Sequence, residues 1–205
     1  MPVVVERFEL TRKGRWQRPW RALLLAAVLA LILLGLAGLY VTRPNSRRAT
    51  FENAIDKGDV ATAAAMLARG EPVDGYPKED EYMSPLEQAA WGGGDAIVDL
   101  LLKHGAEIQV DGGWGALAVA ASEGHLSTVE LLIKRGVLKQ DRQAKLDYAL
   151  WGSAVEGKTE VVRFLLHQGA DPSVSYPGSG TLLEACTMLG QQAVIDILKA
   201  AGAKK

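Results

Sequence analysis

Ten glycines constrain this chain more than any other feature. Gly58, Gly93, Gly124, Gly157 and Gly190 follow one another at separations of 35, 31, 33 and 33 residues. Each is followed, 12 residues on, by a second: Gly70, Gly105, Gly136, Gly169 and Gly202. A near-constant period in this range marks a stack of small supersecondary units, each unable to bury its own apolar face. Within the pairs, apolar residues fall at helical spacing, as in Ile97-Val98-Asp99-Leu100-Leu101-Leu102, Val129-Glu130-Leu131-Leu132-Ile133 and Val161-Val162-Arg163-Phe164-Leu165-Leu166. The closing glycine sits where a helix C-terminus turns left-handed. Ahead of each first glycine runs a second apolar pattern rich in small residues: Leu86 with Ala89 and Ala90, Leu117 with Ala120 and Ala121, Leu150 with Ser153 and Ala154. Small side chains let two helical layers approach closely.

Several of these segments carry a recognisable motif. Ser84-Pro85-Leu86-Glu87-Gln88-Ala89-Ala90, Glu123-Gly124-His125, Gly105-Ala106-Glu107 and Gly169-Ala170-Asp171 together resemble the ankyrin repeat. The resemblance covers residues 49–205 and implies an all-α ankyrin-repeat solenoid of about five helix–turn–helix repeats, at 49–74, 83–109, 114–137, 147–172 and 180–203. The first and last read as capping units. The chain departs from the pattern in lacking the Thr-Pro pair in most units. It also has Glu87, Ala118, Trp151 or Glu184 where the motif has His. The first connection is long and acidic, with Asp74, Glu79, Asp80 and Glu81.

The N-terminal fifth is different in kind. From Ala22 to Thr42 no residue is charged, and Arg21 and Arg43 bracket the run. As a helix these residues would span about 31 Å, the thickness of a bilayer core. Trp16, Trp20 and Tyr40 stand at interfacial places. The sequence therefore predicts a short basic tail (1–21), a single transmembrane helix (22–42), a linker (43–48) and the repeat domain. Arg7, Arg12, Lys13, Arg15, Arg18 and Arg21 outweigh Arg43, Arg47 and Arg48, which favours a cytoplasmic N-terminus in an inner or plasma membrane and a periplasmic or extracellular array. A cleaved signal, cut after Ala37, is the alternative, although the run exceeds the usual apolar region of such signals. Ala22, Ala26, Ala30 and Gly38 share one helical row, which leaves a homodimer through the membrane helix open.

Charge and side-chain chemistry narrow the function. Of 23 basic and 24 acidic side chains, six and two fall in residues 1–42, leaving 17 and 22 beyond. A net-acidic domain is a poor match for nucleic acid. The lone cysteine, Cys186, cannot form an internal disulfide and falls where an inner helix wants a small buried residue. His104, His125 and His167 are spread over different repeats, with His125 in the Gly-His place. Gly92-Gly93-Gly94 and Gly178-Ser179-Gly180 read as turns, since neither leads into Lys-Ser/Thr. No catalytic, cofactor or metal constellation emerges, and the expectation is a non-enzyme without cofactors.

What remains is surface, and the resemblance implies protein binding through inner-helix ends and hairpin tips. Projected onto the glycine register, the partner-facing candidates are Trp91, Ser122, Glu123, Val155, Glu156 and Met188 at helix ends. Tyr82, Trp114 and Asp147 fall at hairpin places, with Met83 and Tyr148 near them. Trp151 is expected to pack between repeats. The partner is another protein, for which an incoming or self-made toxin and a periplasmic enzyme are equal candidates. A structural scaffold organised through the membrane helix is the rival reading.

Overall fold

The structure, a computed structural model, describes residues 47–75, 83–108 and 115–204. By its contacts the chain divides into two units, Met1–Asn45 and Ser46–Lys205, and the described residues all belong to the second. The uncharged run Ala22–Thr42 lies outside them. Among the described residues no helix is long and apolar enough to cross a membrane.

Ten α-helices follow one another among the described residues: α1 (47–56), α2 (Val60–Ala68), α3 (Pro85–Trp91), α4 (Asp95–Lys103), α5 (Gly115–Glu123), α6 (Leu126–Lys134), α7 (Arg142–Val155), α8 (Thr159–His167), α9 (Leu182–Met188) and α10 (Gln192–Ala200). They form five antiparallel pairs. The inner helices α3, α5, α7 and α9 pack each on the next, and so do the outer helices α2, α4, α6, α8 and α10. One core runs the length of the stack. Leu86, Leu101, Leu132, Leu146, Leu150, Leu165, Leu182 and Leu198 are its largest fully buried leucines. The small inner-helix residues Ala90, Ala120, Ala121 and Ala154 are also fully buried, which is what brings the two layers together. Two residues on either side of a turn, Ser175–Tyr176 (β1) and Gly180–Thr181 (β2), pair antiparallel between α8 and α9.

The helix ends explain the glycine period. After α4 the Gly105 N–H donates to Leu102 O (3.2 Å) and the Ala106 N–H to Leu101 O (3.0 Å), the paired bonds of a left-handed helix stop. Gly105 has φ +86°, and Ala106 folds back into the core. The same pair of bonds follows α8, through Gly169 and Ala170. Two inner helices begin with reciprocal caps. The hydroxyls of Ser84 and Thr181 accept from the N–H of Glu87 and Glu184, whose carboxylates accept in return from the cap N–H groups. The N–H bonds hold the Glu184 carboxyl below its usual range, as the Thr62 hydroxyl and N–H do for Asp59 at the start of α2.

Neighbouring repeats are joined by a recurring clamp. At Gly124 and Gly190 the residue after the first glycine reaches back to the inner helix of the preceding unit. The Nε2–H of His125 donates to Trp91 O (2.8 Å), and Gln191 Nε2 donates to Val155 O (3.0 Å). Each clamp lies directly over the preceding glycine: a Cβ on Gly93 would stand 2.6 Å from His125 Nδ1. At Gly105, by contrast, a Cβ would meet nothing within 4 Å. Gly105→Ala should therefore cost about 1–2 kcal/mol for the left-handed backbone alone. Gly93→Ala should cost about 2–3 kcal/mol, because it also displaces the imidazole and its hydrogen bond. Urea unfolding of the two variants checks the order, and equal losses would mean that the clamp contributes nothing.

Two sequence expectations need correction. Arg47 and Arg48 belong to α1 and not to a linker, and Arg48 Nε pairs with Glu52 Oε1 one turn on, at 2.9 Å. The fourth repeat does not begin with a hairpin at residue 147. Val137–Lys139 form a single 3-10 turn, and α7 starts at Arg142, which places Asp147 and Tyr148 inside a helix of 14 residues. The segment Arg142-Gln143-Ala144-Lys145-Leu146 holds only good helix formers and no turn residue, so the helix extends backward until Asp141, at φ +48°, ends it.

Candidate functional site

The inner helices carry a periodic surface. The place two residues before the first glycine is held by Asp56, Trp91, Ser122, Val155 and Met188. The clamp bonds at Trp91 and Val155 show that this place is structurally equivalent from unit to unit. Its occupants differ sharply in exposure. Trp91 is 54% exposed and Met188 87%. Val155 is half-buried against the core, and the half-buried Ser122 spends its hydroxyl on Val119 O (2.9 Å) within its own helix. One residue on, Glu123 and Glu156 are exposed, as is Leu189. Adjacent helices pack about 8–10 Å apart, so Trp91 and Met188, three units apart, bracket a strip on the order of 30 Å long. Met83, also exposed, directly precedes the Ser84 cap. Tyr82 and Trp114 lie outside the described residues, as do Glu79, Asp80 and Glu81.

A second feature lies toward the C-terminal side of α7. Tyr148 stacks on Tyr176 of β1, with ring centroids 5.0 Å apart and planes at 21°, and Trp151 meets Tyr176 edge-on at 4.9 Å and 74°. The geometry follows from helical spacing: Tyr148 and Trp151 are three residues apart and face the short hairpin together. Asp147 completes the junction. Its Oδ1 accepts from the Asp171 N–H (2.8 Å) and from Gln143 Nε2 (2.8 Å). Asp74 does the corresponding work earlier, accepting from the Glu107 N–H at 2.7 Å. Both acidic residues thus stitch connections together, while Trp151 packs partly buried as the sequence suggested. Tyr176, Leu189 and Gln191 were not singled out from the sequence. Tyr176 follows the second-glycine turn at no special spacing, and only the hairpin geometry brings it under α7.

Burial, with Tyr148 and Asp147 nearby, pushes the Tyr176 phenol from 10.0 up to about 12. A phenol held neutral by the fold adds stability that is fully present below pH 10 and is lost as the pH rises through about 12. Phenolate absorbance should accordingly show a late-ionising tyrosine that Tyr176→Phe removes. The urea midpoint should fall between pH 10 and 12 in the native chain and less in that variant. A Tyr176 that ionises with the exposed tyrosines would mean that the hairpin is not docked.

The remaining reactive groups have structural placements. Cys186 is fully buried in α9, and burial pushes its thiol up. His104 ends α4 with Nδ1 2.9 Å from Leu100 O, His125 is the clamp, and His167 closes α8. No group of three or more His, Cys, Asp or Glu side chains that could hold a metal ion occurs among the described residues.

Residues 86–176 match the family model described as ankyrin repeats in three copies. Over residues 86–176 the stack is similar to ankyrin repeats. Among solved structures, the crystal structure of the human ASB11 ankyrin repeat domain superposes with a TM-score of 0.63 at 26% identity, covering 75% of this chain and 69% of that one. Among curated proteins, the ankyrin repeat protein nuc-2 of Neurospora crassa is 32% identical over 126 residues. That match takes in 60% of this chain, which spans only 12% of the length of that relative. Ankyrin repeats are protein–protein interaction modules, in general non-catalytic, and typically bind another protein. The likeness to ankyrin repeats over residues 86–176 accounts there for the Gly-Ala stops and the Gly-His clamp.

Proposed function

We propose that this chain is a non-catalytic binding module held at a membrane by residues 22–42, with its ankyrin array displayed on the periplasmic or extracellular side. The array docks another protein on the inner-helix strip. One observation carries the docking reading: Trp91 and the pair Met188–Leu189 stand well exposed at inner-helix ends, on a stack whose other large apolar residues are mostly packed away. Exposed aromatic and Met side chains are enriched at protein interfaces. The anchor reading rests on the uncharged run Ala22–Thr42 and the arginines before it. An array so placed suits neutralisation of an incoming or self-made toxin, or support of a periplasmic enzyme. The row Ala22, Ala26, Ala30 and Gly38 favours a second reading, a scaffold that gathers membrane complexes through helix pairing.

Reporters fused at Lys205 test the topology. One active only outside the cytoplasm should give signal, and one active only inside should not. Signal from the cytoplasmic reporter alone would overturn the orientation and move the partner inside the cell.

A further inference from the structure

The first unit of the stack holds a cavity of about 480 Å³, lined from two helices. Arg47 and Thr50 come from α1, and Ala61, Ala65, Met66 and Arg69 from α2 and its C-cap, at the spacing of one helix face. A small residue leaves the space open. Seven places after the first glycine, the later units carry Leu100, Leu131, Phe164 and Ile197, all packed against the core, where the first unit has an exposed Ala65. Four places after it, Ile97, Thr128, Val161 and Val194 are buried, and Thr62 is only half-buried. The lining is chemically divided. Arg47 and Arg69 are exposed, neither guanidinium has a hydrogen bond or ion pair among the described residues, and no carboxylate among those residues lines the space. Arg48, next along α1, is by contrast paired with Glu52. The Thr62 hydroxyl is spent on Asp59 (2.6 Å). Met66, Ala61 and Ala65 supply an apolar floor.

We infer that this cavity seats the headgroup of a membrane phospholipid, with the phosphate on Arg47 and Arg69 and the glycerol end over Met66. Guanidinium groups suit a phosphate, because their N–H edges match its oxygens in pairs. A free phosphate would use the arginines and leave the apolar floor in water, whereas a lipid uses both halves. The inference rests on the reading of residues 22–42 as a membrane anchor. Arg47 follows Thr42, the end of the uncharged run, by five residues, and five residues of chain reach at most about 18 Å. The polar layer of a bilayer adds roughly 5–8 Å beyond its apolar core, so a chain anchored by that run keeps the two arginines within reach of phosphates.

The test uses the full chain in dodecyl maltoside, a detergent without phosphate, with isotope-labelled arginine followed by NMR. The probes are dihexanoyl-phosphatidylglycerol and inorganic phosphate. The lipid should move the Nε–H signals that Arg47→Gln and Arg69→Gln remove, at a concentration about tenfold lower than phosphate requires. The double variant Arg47→Gln/Arg69→Gln should weaken lipid binding about tenfold or more. Ala65→Phe keeps both arginines and puts in the first unit the size of side chain that the later units carry. It should fill the cavity and weaken the lipid about tenfold, with an unchanged helical spectrum. Equal response to lipid and phosphate, or full lipid affinity in folded Ala65→Phe, would overturn the inference, since the arginines would then act as surface charge alone. The anchor reading fails separately. A full chain left behind when phosphatidylcholine vesicles are floated has no anchor, whereas one that floats but shows no arginine response to the lipid sinks only the headgroup seat.

Discussion

Leu101→Ala is expected to remove about 2–5 kcal/mol from the stability of the array. Leu101 is fully buried in α4, and its carbonyl accepts the Ala106 N–H that closes the helix. α4 packs on α2, α3 and α6, so a void at this place loosens both junctions of the second repeat at once. In a stack whose units touch only their neighbours, stability is roughly the sum of unit and junction terms. A cavity at a junction therefore loses twice: once as transfer energy and once as weakened coupling. Urea unfolding followed by far-ultraviolet circular dichroism measures it. A loss under about 1 kcal/mol would mean that the site collapses around the smaller side chain or that the layers are packed otherwise.

Trp91→Ala is expected to weaken partner binding about 30-fold or more at physiological salt, corresponding to roughly 2 kcal/mol. The indole is largely exposed, so its loss should leave the fold intact and the helical spectrum unchanged. Its backbone is fixed, because the Trp91 carbonyl is held by His125 of the next unit. An anchor already held in place loses little further entropy on binding, which is why a single side chain can weigh so heavily. Neutralising Glu79, Asp80 and Glu81 together should act differently. It should slow association, with less effect at high salt, since exposed charges are screened by ions. Isothermal titration and association kinetics on both variants separate the two contributions. Normal binding by folded Trp91→Ala, with loss in the acidic triple variant, would move the interface to the connection after α2.

The glycine spacing revealed the stack because each such glycine meets a backbone demand that other residues satisfy poorly. All ten have positive φ, from +65° at Gly93 to +94° at Gly169. The register also placed Trp91 and Met188 on the surface, since two residues before the first glycine is the last place of α3 and α9. Asp147 and Tyr148 were misplaced for the converse reason. No glycine or proline lies between Gly136 and Gly152, so nothing in the local chemistry stopped α7 from extending over residues assigned to a hairpin. Gln191 escaped notice because its side chain replaces an imidazole by reach and donor geometry, without resembling one in sequence. The Tyr148–Tyr176 stack joins residues 28 apart through a turn of two short strands, a contact that no single periodicity encodes. The roles of Tyr82 and Trp114 as partner contacts stay with the sequence argument.

The backward-reaching clamp has a consequence for how such a surface changes over time. His125 and Gln191 both bind a main-chain carbonyl, a group that every residue type supplies. The closure is therefore indifferent to what the preceding unit displays at that place: a tryptophan is exposed over one clamped carbonyl and a valine is tucked beside the other. Joinery and display are written in different atoms of the same residue. A lineage can rewrite what the strip shows, or copy a whole unit and lengthen its reach in steps of about 10 Å, without renegotiating the joints.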